Sequence, residues 1–321
     1  MVSSRLQFCS ADSTNSGESP IGSAWYTPEL IVCELPLPWG AEVLKSRNTP
    51  AGLETVINDA YERRGYDWGL IGCAPDEAYS VSGYRRVMHC TIAPQSRGRF
   101  KRRVFLVPND DLTAAVEALL HHKIHPSMQE QEDNLRDVLL CTHGAVDACC
   151  AKFGYPLYAL MRKMADNVGS DVRVWRSTHF GGHRFAPTYL ELPSGRYWGR
   201  ITPQSVSALV HRRADEEAVR PFYRGSATMA TPVEQAIEAE LFYKLGWKLD
   251  AADLIDLSVH ELSPGKWRAL ASIQFSTGER IECEIDCRET GTVSLKAHCN
   301  YDIVIDASQF ESHLQVANLT T

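Results

Sequence analysis

The strongest constraint on the fold is an order of elements that recurs along the chain. Leu30 to Leu35 is an apolar strand stopped by Pro36 and Pro38. Thr49-Pro50 then opens a helix, with Thr as N-cap and Pro in the first turn, and Leu53, Val56, Ile57, Ala60 and Tyr61 follow at helical spacing. Gly69 to Cys73 is a short buried strand. Tyr84 to Ile92 and Arg102 to Val107 form a β-pair, and Asn109 to Asp111 caps a helix carrying Leu112, Val116, Leu119 and Leu120. The order then repeats. Asp137 to Leu140 is a strand running into Cys141, and a helix carries Leu157, Leu160, Met161 and Met164. Val172 to Trp175 is a strand, Pro187 to Leu192 and Gly195 to Ile201 form a hairpin, and Thr202-Pro203 caps a helix through Val206, Leu209 and Val210.

Both passes read β-α-β-β-β-α, the order of a thioredoxin-like fold. The expectation is an α/β (α+β) chain with thioredoxin-like domains, two in tandem, through a duplication that rests on element order and not on residue identity. Residues 9–28, rich in Ser, Gly, Asn and Pro, read as an irregular arm. Beyond residue 225 the pattern changes: Thr231-Pro232-Val233-Glu234 starts a helix with a capping box, closed by Gly246. Trp267, Ala269, Ala271, Ile273 and Phe275 then alternate with polar residues, as do Ile281, Cys283, Ile285 and Cys287, which makes a small β-rich appendage. The divisions fall at 1–134, 135–225 and 226–321, and a length of 321 residues suits such a layout.

Apolar content of 44% and charged content of 23% are those of an ordinary globular protein. A net charge of −7 argues against a nucleic-acid partner, which needs a basic surface. No segment has the length of an apolar membrane span, and Met1 to Cys9 lacks the apolar core of a signal peptide. The chain therefore reads as cytoplasmic. In that compartment its 10 cysteines suit metal ligands, reactive thiols or small core residues better than disulfides.

The segment Cys141-Thr142-His143-Gly144-Ala145-Val146-Asp147-Ala148-Cys149-Cys150 sits where a strand ends and a helix is due to begin. Side chains at such a junction gather at the carboxyl end of a sheet. Later comes His179-Phe180-Gly181-Gly182-His183, whose two imidazoles can reach one metal if the intervening backbone turns tightly, as the Gly pair permits. Spacing alone thus supports a site of two cysteines and two histidines, with Cys149 and Cys150 undistinguished.

Taken together, Cys-Thr-His-Gly-x-x-Asp-x-x-Cys, Phe153-Gly154-Tyr155-Pro156, His-x-Gly-Gly-His-x-Phe-Ala-Pro-Thr and Tyr197-Trp198-Gly199-Arg200 resemble the sucrase/ferredoxin-like family, a branch of the thioredoxin-like ferredoxins. Pro221-Phe222-Tyr223-Arg224-Gly225 and the stretch from Phe8-Cys9-Ser10 to Pro38-Trp39-Gly40 also fit, and within the family the chain is closest to bacterial, cyanobacterial members. The resemblance implies a 2Fe–2S cluster held by Cys141, Cys150, His179 and His183, the cysteines on one iron and the histidines on the other. His143, Gly144, Asp147, Cys149, Gly181, Gly182 and Arg224 would surround those ligands. Imidazole ligands lower the negative charge of the centre and raise its potential, as in Rieske centres. A one-electron carrier, proton-coupled and served by a redox partner protein, is the implied function.

Other readings compete for the same residues. Cys141 and His143 resemble half of a Rieske motif, but the second half is missing, so His143 is read as structural or supporting. Cys283 and Cys287 fall on one strand face with Ile281 and Ile285 and are read as core. Cys9, Cys33, Cys73, Cys90 and Cys299 have no ligand spacing and are read as structural. Arg224 faces either the cluster or a partner, or makes a surface salt bridge. A zinc protein using the same two cysteines and two histidines is the first alternative, although the gap between the cysteines exceeds that of zinc knuckles. A glycoside hydrolase, as the family's name suggests, needs a carboxylate pair that no motif supplies. Thiol–disulfide chemistry is disfavoured because the chain has no Cys-x-x-Cys.

Overall fold

Alternation within the buried strands decides how the layers stack. The computed structural model describes residues 8–93, 96–166, 171–213 and 216–320. After a short helix α1 (Cys9–Asn15), the first pass comprises β1 (Glu29–Glu34), α2 (Leu53–Arg64), β2 (Gly69–Cys73), β3 (Tyr84–Ala93), β4 (Ser96–Pro108), α3 (Leu112–Leu120) and β5 (Gln129–Gln131). The second comprises β6 (Arg136–Cys141), α4 (Tyr155–Asp166), β7 (Val172–Ser177), β8 (Tyr189–Leu192), β9 (Arg196–Trp198), α5 (Pro203–Val210), α6 (Glu216–Val219) and β10 (Tyr223–Ser226). Every residue of β1 and β6 is buried, as expected where both faces of a sheet are covered. Ile31 and Cys33 pack with Leu53 and Ile57 of α2 and Leu112 and Val116 of α3. Their neighbours Leu30 and Val32 join Leu139 and Cys141 of β6 in a second cluster on the other face.

The ten strands form one sheet in the order β10-β9-β8-β6-β7-β2-β1-β3-β4-β5. Within it β1 pairs parallel with β2 and antiparallel with β3, while β6 pairs parallel with β7 and antiparallel with β8. The two passes meet where β2 and β7 run antiparallel at Cys73 and Ser177. Read outward from that contact, the two halves of the sheet have the same strand order and the same relative directions. A buried ionic network also crosses between them. Asp137 accepts from Arg102 of the first pass, from Arg173 Nε at 2.7 Å and from Trp175 Nε1 at 2.7 Å.

The remaining chain forms α7 (Pro232–Leu245) and four antiparallel strands in sequential order, β11 (Ala252–Ser263), β12 (Lys266–Phe275), β13 (Arg280–Lys296) and β14 (Val304–Thr320). Thr231 and Glu234 close the expected capping box on α7, and Thr202 with Ser205 does the same on α5. Ile281, Cys283, Ile285 and Cys287 are all buried in the core beneath this sheet.

Two local expectations are corrected. The arm is not wholly irregular, because Cys9–Asn15 is helical with Cys9, Ser10 and Ser13 buried. The first long helix begins at Leu53 and not at Pro50. The Thr49 hydroxyl is already engaged with Val43 O at 2.8 Å, and Gly52 at φ 78° supplies the turn into the helix. Met1 to Gln7 lie outside the described residues. No helix among the described residues is long and apolar enough to cross a membrane.

Candidate metal centre

Close approach of backbone to backbone creates the site. A Cβ at Gly154 would overlap the carbonyl of Cys141, so glycine lets the chain cross directly over the end of β6. Gly144 likewise has no room for a Cβ beside Ala151. The crossing is a π-helical turn over Cys150–Gly154 that leads into α4, a distortion that recurs at functional sites. It sets Cys150 beside Cys141. Their sulfurs lie 3.6 and 3.7 Å from His179 Nδ1, and these three donor atoms fall within 4.8 Å of one another. Both cysteines are 1% exposed, and His179 is half-buried.

His143 braces this arrangement. Its Nε2 bonds Gly40 O at 2.8 Å, so Nε2 carries the proton, and Nδ1 accepts the His179 backbone N–H at 3.3 Å. Burial holds the His143 imidazole below its ordinary pKa, in keeping with the neutral tautomer.

His183 approaches from the left-handed turn at Gly181 (φ 86°) and Gly182 (φ 75°), with its ring 5.4 Å from that of His179. It is not in the three-atom group with Cys141 and Cys150. Its Nδ1 points instead at Asp147 Oδ2, 3.4 Å away, and at Cys9 Sγ, 3.2 Å away, which leaves Nε2 as the other nitrogen able to serve a metal. A carboxylate beside the nitrogen that does not ligate is a common surrounding for a metal-binding histidine. Burial, opposed by Asp147, lowers its pKa to about 4 and keeps it neutral near physiological pH.

Burial alone would suppress the thiolate of Cys141, but donation from Cys150 and His179 outweighs it and holds that thiol well below the ordinary range. The hydrogen bond with Cys141, reinforced by burial, drives Cys150 upward. A cation bound here would favour both sulfurs as thiolates.

Arg224 is 1% exposed, so its reading as a surface salt bridge is corrected. It donates to Ser23 O at 2.5 Å, Ser23 Oγ at 3.1 Å and Thr188 Oγ1 at 2.9 Å, and no carboxylate among the described residues bonds it. A Cβ at Gly182 would overlap its guanidinium. Burial lowers its pKa to about 10, which still leaves it charged near neutrality.

Cys149 faces away from Cys141 and His179. Its sulfur lies 3.6 Å from Cys9 Sγ and 3.2 Å from Cys299 Sγ, and those two are 3.4 Å apart. Asp147 completes a group of four buried donors, while Asp147, His183 and His298 form a third, adjoining group. Cys9 and Cys299, expected to be structural for want of ligand spacing, meet here although 290 residues apart, and no spacing signal marks His298.

The profile of the sucrase/ferredoxin-like family matches residues 21–225, a stretch that contains Cys141, Cys150, His179 and His183 but neither Cys9 nor Cys299. Two curated relatives carry the name altered inheritance of mitochondria protein 32. The one from Debaryomyces hansenii is 26% identical over 137 residues, covering 38% of this chain and 50% of the relative. The one from Meyerozyma guilliermondii is 29% identical over 107 residues, covering 31% of this chain and 38% of the relative. The chain therefore spans about half the length, or less, of these relatives. Both are yeast proteins, so the expected bacterial, cyanobacterial placement finds no support in them. No solved structure matches the chain. Matched over more than half of its length by the family profile, the chain belongs to the sucrase/ferredoxin-like family.

Proposed function

We propose that this protein is a one-electron carrier whose 2Fe–2S cluster is held by Cys141, Cys150, His179 and His183. The observation that carries the reading is the convergence of two buried sulfurs on His179 Nδ1, with a second imidazole beside the first. The donor types fit the group, and binding would spread them, since cysteines on one iron and histidines on the other stand farther apart than the 3.6 and 3.7 Å between these sulfurs and His179 Nδ1. Two buried cysteine sulfurs meet His179 Nδ1, the His183 ring lies 5.4 Å from that of His179, and thiolate sulfur and imidazole nitrogen are ligand types that such clusters take. When bound, such a cluster supplies reversible one-electron transfer at a potential raised by its imidazole ligands.

The chain's own residues do the positioning. His143 holds the backbone of His179, and Cys9 Sγ bonds His183 Nδ1 with Asp147 Oδ2 beside it. Buried Arg224 places a positive charge behind the Gly181-Gly182 turn. An open hollow lined by Trp25, His179, Phe180 and Gly181 is where a redox partner protein would meet the ligand set. The mirrored strand order of the two halves supports two tandem thioredoxin-like units, 1–134 and 135–225, followed by the 226–321 extension. The test is direct: purified protein is expected to be red-brown, with about two iron and two acid-labile sulfide per chain. Colourless, iron-free protein from anaerobic preparation would overturn the reading, and zinc bound by the same four residues would replace it with the zinc alternative.

A further inference from the structure

Cys9 in α1, Cys149 in the turn before Cys150 and Cys299 after β13 come from three distant parts of the chain, yet their sulfurs form a triangle with sides of 3.2, 3.4 and 3.6 Å. All three cysteines are reduced and buried. Asp147 closes the group: it is 0% exposed, its Oδ1 is 4.0 Å from Cys9 Sγ, and no Lys or Arg among the described residues bonds it. Three sulfurs and a carboxylate oxygen, all within 4.8 Å of one another and all buried, are four donors of the types that zinc takes. Tetrahedral zinc, with Zn–S of about 2.3 Å, sets its sulfurs about 3.8 Å apart. The observed triangle needs only a slight spreading to reach that geometry.

We propose that Cys9, Cys149, Cys299 and Asp147 hold one zinc ion, which staples α1 and the C-terminal extension to the turn that carries Cys150. The surrounding bonds suit thiolate ligands. The backbone N–H of Cys9 donates to Cys299 Sγ at 3.3 Å, and the Ser10 hydroxyl lies 3.2 Å from Cys149 Sγ. Asp147 is oriented by the N–H of Cys149 at its Oδ1 (2.8 Å) and by the N–H of Cys299 at its Oδ2 (3.0 Å). His183 and His298 also face Oδ2, which leaves Oδ1 directed at the sulfurs. Three zinc–sulfur bonds form as three thiol protons leave to solvent, and no electron moves. Cys9 and Cys299 lie outside the stretch matched by the family profile, so the complete site draws on residues that the profile does not cover.

The test measures zinc and iron separately in the full chain, expressed with zinc and dialysed against a mild chelator. Wild-type protein is expected to keep about one zinc per chain, with about three sulfurs near 2.3 Å by zinc-edge X-ray absorption. Cys299→Ala is expected to lower retained zinc about tenfold or more while iron is unchanged, and Cys9→Ala, whose sulfur also touches His183 Nδ1, is expected to lower zinc to the same degree. Cys33→Ala, remote from the site, is expected to keep it. Wild-type protein without zinc overturns the proposal whatever the variants do. So does a disulfide between any two of the three cysteines in zinc-free protein, or a zinc shell of two sulfurs and two nitrogens. Loss of iron with zinc retained would count against the cluster reading alone.

Discussion

Cys9 Sγ lies 3.2 Å from His183 Nδ1 across 174 residues of sequence. The contact brings the first described helix to the Gly-Gly turn that presents the second imidazole. Phe8 stacks edge-on against Phe153 in the π-helical turn at 5.3 Å, so the same arm also covers the chain between Cys150 and α4. The Gly-Gly turn is therefore held from both sides, by α1 and by Arg224, and its geometry belongs to the whole chain and not to the local motif.

Gly182 tests that packing. Its φ of 75° disfavours any side chain, and the space a Cβ would take holds the Arg224 guanidinium. Gly182→Ala is expected to destabilise the fold by about 1–3 kcal/mol and to lower iron content, measured by denaturant titration and metal analysis. Wild-type stability with full iron loading would show that the turn tolerates another path.

Asp137 tests the join between the two halves of the sheet. It is 0% exposed and serves both Arg102 and Arg173. Asp137→Ala leaves two guanidinium groups without their shared partner and is expected to cost about 3–5 kcal/mol. A loss under about 1 kcal/mol would mean that Asp133, which also bonds both arginines, suffices alone.

Glu29 gives a pH dependence through residues that take no part in the candidate metal centre. Burial works against its charge, but His89 at 2.7 Å and Arg64 outweigh that and hold the carboxyl below its ordinary value of 4.5. A lowered folded value stabilises the fold fully above pH 4.5, and the contribution is lost as pH falls through the folded value. Glu29→Gln should therefore be less stable than wild type by about 1–3 kcal/mol near neutrality, with a gap that closes in acid. Denaturant midpoints followed downward in pH check this, and a gap that stays constant would contradict it.

His179→Cys probes the ligand reading while conserving a donor. The variant is expected to retain iron and to lower the reduction potential by on the order of 100 mV or more, since a thiolate adds the negative charge that imidazole avoids. Redox titration reads this, and an unchanged potential would remove His179 from the centre.

Much of the fold was legible where its cause was local. The Thr202-Pro203 cap of α5, the capping box Thr231–Glu234, the face of α3 and the alternation of β12 and β13 depend on neighbours within a few residues. Helix α1 was not legible, because Cys-Ser-Ala-Asp-Ser-Thr-Asn has little helical preference and is held by burial of Cys9 and by the Ser13–Glu18 bond. The meeting of β2 with β7 was equally hidden, since one antiparallel bridge between two passes leaves no period in the sequence. At the centre, spacing brought out Cys141 with Cys149 or Cys150, and the histidine pair. Which cysteine turns inward depends on the π-helical turn and on Gly154, neither of which spacing encodes. The triangle of Cys9, Cys149 and Cys299 was invisible because nearest-neighbour spacing cannot signal donors at opposite ends of a chain.

The central claim is best tested by EPR of the dithionite-reduced wild-type protein, with nitrogen couplings sought by pulsed methods. The account predicts one 2Fe–2S signal per chain with couplings from two imidazole nitrogens, one of them absent in His179→Cys. An iron signal without nitrogen coupling, or no iron signal at all, would contradict it.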